Sequence, residues 1–220
     1  MAVRDPDAAP RLPHPHRVRR RFPHLPGHAR HSPDRRSMTT SPTRAGLTAR
    51  LAETACVTAP FHLADGARLD SYFDEYRLAA EPALLRDTAA ALAELVPGDA
   101  QLLAGIELGG VPLVVALSAA TGLPAVFLRR RPKGYGSRRQ IEGAAHTGRR
   151  TVLVDDVVRS GGQLLKMART LRIAGAPVTD ALCVLERPLG GRMLLAEHRV
   201  TLHSLLTEAD LPPSQGGDAA

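Results

Sequence analysis

The spacing of apolar residues changes along the chain, and each change marks an element. Between residues 43 and 57, Leu47, Leu51 and Ala55 recur every fourth position, which predicts a short helix. Residues 61–78, FHLADGARLDSYFDEYRL, alternate apolar and polar around Asp65-Gly66 and predict two short strands folded as a hairpin or small cap. Residues 82–96 predict a helix, with Pro82 suited to its first turn and Pro97-Gly98 ending it. Strand and helix patterns then alternate. Strands are predicted at 102–108, 125–130, 150–156, 178–187 and 200–206, and helices at 111–122 and 163–175, ending at Gly122 and Gly175. Apolar strands separated by helices imply an α/β fold with a central parallel sheet covered by helices on both faces. Ligands of such sheets bind at the carboxyl ends of the strands. No internal repeat is apparent.

Two stretches interrupt this pattern. Between Arg130 and Arg150 lies RPKGYGSRRQIEGAAHTG, which has no apolar periodicity. Six basic residues and no acid fall between Arg129 and Arg139, and a loop of this length suits a flexible, basic active-site lid. The second is TVLVDDVVRSGGQL, residues 151–164, where an apolar run meets Asp155 and Asp156. Adjacent carboxylates beside an apolar strand repel each other and lose solvation unless a ligand or cation offsets the cost. Ser160, Gly161 and Gly162 follow, just before a helix, where free backbone N–H groups and the helix dipole favour an anion. No Lys follows the glycines, so this is not the phosphate loop of nucleoside triphosphatases. An anion cradle four residues beyond two carboxylates suits a sugar phosphate, with its phosphate in the cradle and its hydroxyls on the acids.

Composition narrows the picture. The 220 residues suffice for one substantial α/β domain. Aromatics are few and Trp is absent, so the core must be built from Leu, Val and Ala. No apolar run is long enough to span a bilayer. Cys56 and Cys183 stand apart, without metal-ligand spacing, and read as reduced thiols of a cytoplasmic protein. The net charge of +7 suggests nucleic acid until it is divided: residues 1–37 hold nine Arg against three acids, leaving the body nearly neutral. Those residues also carry seven of the 18 prolines and five of the nine histidines, and they are expected to be a disordered tail. Met38 begins more ordinary sequence and is the expected start of the native chain. The alternative is a basic arm that binds nucleic acid. The expected organisation is tail 1–37, domain 38–212 and a disordered C-terminal tail 213–220.

VLVDDVVRSGG resembles the phosphoribosyl diphosphate (PRPP) motif of the type I phosphoribosyltransferases. Other segments resemble the orotate phosphoribosyltransferases in particular, over residues 43–207. LRRRPKGYGSRRQIEG is similar to that family's lid: Arg129 and Lys133 match its Arg and second Lys, Arg130 stands where Lys is usual, and Tyr135 takes a His/Tyr position. FHLADGARLDSYF resembles its N-terminal hood, LERPLGG its Asp-Arg segment, and GIELGGVPLVVALS its Gly-rich diphosphate turn at Gly109. Two positions depart from the pattern: Ala64 replaces a Lys, and Arg159 replaces the Thr that opens the phosphate loop.

The resemblance implies transfer of the phosphoribosyl group from PRPP to orotate. It assigns catalysis to Lys133, Asp155 and Asp156. It assigns PRPP binding to those three together with Gly109, Arg129, Arg130, Tyr135, Val157, Val158, Arg159, Ser160, Gly161, Gly162 and Gln163. Tyr72 and Phe73 would stack on the base, with Arg159 and Arg187 also contacting it. Mg²⁺ would arrive on the substrate diphosphate, without a firm protein ligand, and a homodimer would share lid residues between subunits. No membrane is implied, and nucleic acid is not an expected partner. Two alternatives stay open: a type I enzyme for a different nucleobase, and a non-catalytic PRPP-sensing regulator.

Overall fold

The computed structural model describes residues 43–62, 68–134 and 139–211. Helix α1 (Arg44–Ala55) is capped by Thr43, whose hydroxyl accepts from the Gly46 N–H at 3.2 Å. It ends where β-branched Val57 and Thr58 begin strand β1 (Cys56–His62), two residues before the periodicity predicts. Strand β1 pairs antiparallel with β2 (Arg68–Phe73), and Cys56 lies opposite Phe73. These two strands form the predicted hood. The Asp65-Gly66 turn, Ala64, Tyr135, and residues 1–37 and 213–220 lie outside the described residues.

Sequence reading stopped the hood at its strands. The structure adds helix α2 (Glu75–Ala80), capped by the Asp74 carboxylate, which accepts from the N–H groups of Tyr76 and Arg77 at 3.0 and 3.1 Å. Helix α3 (Pro82–Ala93) carries its proline in the first turn as predicted. Then follow β3 (Leu102–Ile106), α4 (Gly110–Thr121), β4 (Ala125–Leu128), β5 (Ile141–Gly143), β6 (Thr151–Val158), α5 (Gly162–Ile173), β7 (Val178–Glu186), α6 (Gly191–Glu197) and β8 (Thr201–Thr207). Strand β5 lies inside the stretch read as irregular loop. It pairs antiparallel with β4, so the loop's far end is anchored to the sheet. Helix α6 also escaped the periodicity, because only Leu195 of its seven residues carries a buried side chain beyond the glycine that starts it.

The second sheet has the order β5-β4-β3-β6-β7-β8, and all but β5 are parallel. Its strands divide their side chains between two cores. Leu153, Ala181 and Cys183 face α5 and α6, while Val152, Val154, Leu182 and Val184 face α1, α3 and α4. Burial pushes both cysteine thiols above their ordinary range, most strongly Cys183, so neither is a ready nucleophile. At the amino ends of the strands, Arg150 bonds Asp99 and Asp180, and His203 bonds Asp180 at 2.9 Å. This network closes the end of the sheet opposite the acidic pair. The central position of β3 and β6 brings their carboxyl ends side by side beneath the hood.

Candidate functional site

A cavity of about 320 Å³ opens at those carboxyl ends. Its floor is the end of β6. Asp155 and Asp156 line it, followed by Val157, Val158, Arg159, Ser160, Gly161, Gly162 and Gln163. Gly109 and Arg130 come from the neighbouring strands, and Tyr72 and Phe73 from the hood. The turn after β6 is set by Gly161, whose φ of +74° places it in the left-handed region as it caps α5. The first N–H groups of α5 have no preceding helical turn to bond, and no side chain caps them. They are therefore free to receive an anion from the cavity.

The acids differ although they are adjacent. Asp155 is only 6% exposed. Burial, and then the negative charge of Asp156, raise its carboxyl well above the usual aspartate range. Its Oδ1 accepts the Asp156 N–H at 3.2 Å. Asp156 is half-buried and packs against the Gly109 backbone. A Cβ placed on Gly109 would lie 2.6 Å from the Asp156 carboxyl carbon, and one on Gly110 would overlap the Val154 carbonyl. Gly110, whose neighbour is backbone, is thus required by space, and it lets the turn after β3 close against the acidic strand end.

Two further carboxylates line the cavity, Glu107 and Glu75. Sequence reading missed both. Glu107 had a usable sign, since it follows a buried strand at its carboxyl end. Glu75 had none, because its position depends on the unforeseen helix α2. Glu107 also fixes the base of the basic loop. Its Oε1 accepts the Arg130 N–H at 2.6 Å, its carbonyl accepts Arg130 Nε at 3.1 Å, and its Oε2 is 4.0 Å from Arg129. Tyr72 donates its hydroxyl to Glu75 Oε2 at 3.0 Å. Burial, then Glu75, pushes the phenol up to about 12, so it stays protonated at neutral pH.

The structure separates other residues that the resemblance groups together. Neighbouring residues on a strand face opposite ways, and although Tyr72 and Phe73 both border the cavity, they differ in how far they open to it. Phe73 is 2% exposed and belongs to the core under the hood, while Tyr72 presents the accessible ring. Arg187 does not line the cavity. It is buried, bonds Ser71 Oγ at 3.0 Å and the Ser71 carbonyl at 3.2 Å, and pairs with Glu208 at 2.6 Å. In this arrangement it tethers β2 to the end of β7. Lys133 also stands outside the cavity, 2.5 Å from Glu142 on β5, and this pairing lowers the Glu142 carboxyl below its usual range. Arg159 lines the cavity with no hydrogen bond or ion pair among the described residues.

Two acids at a sheet end, an open N–H turn beside them and a roof over both suit a sugar phosphate. The sequence profile of the family described as "Phosphoribosyl transferase domain" matches residues 77–201. The chain belongs to the orotate phosphoribosyltransferases of that family. It is 37% identical to the orotate phosphoribosyltransferase of a Nocardioides strain, over 74% of this chain and 91% of that one. It is 40% identical to that of Halobacterium salinarum, over 69% and 86%. Among solved structures, the Aeropyrum pernix orotate phosphoribosyltransferase superposes with a TM-score of 0.67 at 30% identity, covering 74% of this chain and 94% of that one. The Mycobacterium tuberculosis enzyme, solved with Fe(III) dicitrate, gives 0.69 at 26% identity, over 77% and 99%.

Proposed function

We propose that this chain transfers the 5-phosphoribosyl group of PRPP to a ring nitrogen of orotate, forming orotidine 5'-phosphate and diphosphate in pyrimidine nucleotide synthesis. The observation that carries the reading is the single cavity in which the acidic pair, the open turn of α5 and the hood tyrosine face one another. The 5-phosphate belongs on the N–H groups of Ser160 to Gln163. The ribose hydroxyls belong on Asp155 and Asp156, and the base beneath Tyr72. As the bond from the anomeric carbon to diphosphate breaks, positive charge develops on the sugar and negative charge on the leaving group. The acids stabilise the first, and Arg129, Arg130 and Lys133 the second. Exclusion of water by the basic loop protects the sugar cation from hydrolysis.

Mg²⁺ would reach the cavity on the substrate diphosphate. Among the described residues, no three His, Cys, Asp or Glu side chains converge to hold a metal ion. Diphosphate oxygens would supply the remaining ligands, with Glu107 and Asp156 the available carboxylates. Bound there, the ion would neutralise diphosphate charge. A homodimer in the cytoplasm, with each basic loop serving the partner's cavity, fits the position of Lys133 outside its own. Among the described residues, no helix is long and apolar enough to cross a membrane.

The test is a mixture of protein, PRPP, Mg²⁺ and orotate, with uracil and the purine bases run in parallel. Mg²⁺-dependent loss of orotate absorbance is expected, with none of the other bases consumed. Turnover of another base would replace the substrate, and tight PRPP binding without turnover would make the protein a sensor. The Arg159 guanidinium, which has no partner among the described residues, lines the cavity at the position where a Thr is usual, and it supplies positive charge to PRPP. Arg159→Ala is expected to raise the KM for PRPP by about tenfold, in line with loss of one charged hydrogen bond. An unchanged KM would remove this role.

A further inference from the structure

We propose that Gly191 is a positioning residue for the phosphate-binding turn, holding its N–H groups in line from behind. The proposal rests on the reading that the cavity takes PRPP. Gly190 and Gly191 join β7 to α6, and they serve different needs. Gly190 has a φ of +81°, a conformation that side chains disfavour, yet a Cβ there would meet nothing within 4 Å. Gly191 has no positive φ, so its backbone suits any residue. It is fully enclosed, however. A Cβ on Gly191 would overlap the Arg159 carbonyl, and would lie 2.9 Å from Val158 Cγ1 and 3.1 Å from the Gly161 nitrogen. The need for glycine is reciprocal. A Cβ on Gly161 would lie 2.9 Å from the Gly191 carbonyl oxygen and 3.1 Å from its Cα.

Two bare backbones therefore touch where the phosphate turn meets the start of α6. Three to four residues earlier, the Arg187 N–H donates to the Val158 carbonyl at 2.8 Å and joins the same two segments. Leu195, fully buried, anchors α6 in the core beneath. The turn has no side-chain cap of its own, so its shape depends on this backing. A methyl group at Gly191 must push Arg159 and Gly161 toward the cavity, which turns the N–H groups away from a bound phosphate. Misplacement of this order weakens binding strongly because hydrogen bonds depend steeply on direction.

The adjacent glycines supply their own control. Wild type, Gly190→Ala and Gly191→Ala would be compared by melting temperature, steady-state kinetics and calorimetric titration with ribose 5-phosphate, a non-reacting probe of the phosphate turn. Gly190→Ala is expected to lower the melting temperature by a few degrees and leave the ribose 5-phosphate Kd within about twofold, as backbone strain without a clash predicts. Gly191→Ala is expected to raise that Kd and the KM for PRPP by about tenfold or more, with the KM for orotate changed by less than about threefold. Hydrogen exchange of the wild type gives a readout that needs no variant. Ribose 5-phosphate should protect the amides of residues 190–194 as well as those of 160–164. A Gly191→Ala protein that binds ribose 5-phosphate like wild type overturns the role of Gly191, as does an equal loss in Gly190→Ala, or protection confined to 160–164. Absence of binding by the wild type would overturn the PRPP reading and this inference with it.

Discussion

Asp155→Asn is expected to make the protein more stable and nearly inactive. The carboxyl sits in the low-dielectric end of β6 beside a second acid, and both surroundings disfavour its charge. The amide keeps the shape and retains an oxygen for the Asp156 N–H, but removes the charge that burial most disfavours at this position. A gain of about 1 kcal/mol, or several degrees in melting temperature, is the expected scale for relieving a functional strain of this kind. Activity should fall about a hundredfold or more, because the negative charge facing the developing sugar cation is lost. Asp156→Asn should lose comparable activity with little gain in stability, since Asp156 is only half-buried and solvent already screens its charge.

The pH dependence follows from the direction of the Asp155 shift. Its carboxyl is raised in the folded protein, so the folded state binds more protons than the unfolded state between the ordinary value near 3.8 and the raised one. The contribution is fully present at low pH and is lost as pH rises through the folded value. The difference in melting temperature between Asp155→Asn and wild type should therefore widen from pH 4 toward neutral. A constant difference across that range would show that folding does not raise the Asp155 carboxyl.

Those two acids were readable in the sequence because everything that makes them unusual is local. The apolar run before them, their adjacency and the glycines after them fall within fourteen residues. The strands were readable for the same reason, since an unbroken apolar run is already a buried strand. What escaped depends on distant parts of the chain. Glu107 reaches the cavity because β3 lies next to β6, some 45 residues later, and sheet order is not written in either segment. Arg187 finds Ser71 across 116 residues, and its commitment there was invisible before the hood was placed. Strand β5 has three residues, too few to show a period, and takes its regularity from pairing with β4. The division between Tyr72 and Phe73 was within reach, since alternation along a strand already gives the two rings different surroundings.

Lys133→Ala is expected to lower kcat by about a hundredfold to a thousandfold, the scale for removing one charge that stabilises a transition state, while the melting temperature moves by no more than about 2 °C. The two effects separate because of where Lys133 stands. Its ammonium neutralises Glu142 at the sheet edge, in a partly exposed pair of the kind that adds little to stability. A diphosphate offers more negative charge than one carboxylate, so the lysine can exchange partners when substrate arrives. Glu142→Gln should accordingly lower the KM for PRPP modestly, because Lys133 no longer has a resting partner to leave. The same position also tests the shared-loop arrangement. If each loop serves its partner's cavity, mixing inactive Lys133→Ala and Asp156→Asn subunits should restore part of the activity, because one cavity of each mixed dimer receives an intact acid pair and an intact lysine. Recovery approaching a quarter of wild type is expected from random pairing with one working cavity in two, and no recovery on complete exchange would place Lys133 in the cavity of its own chain.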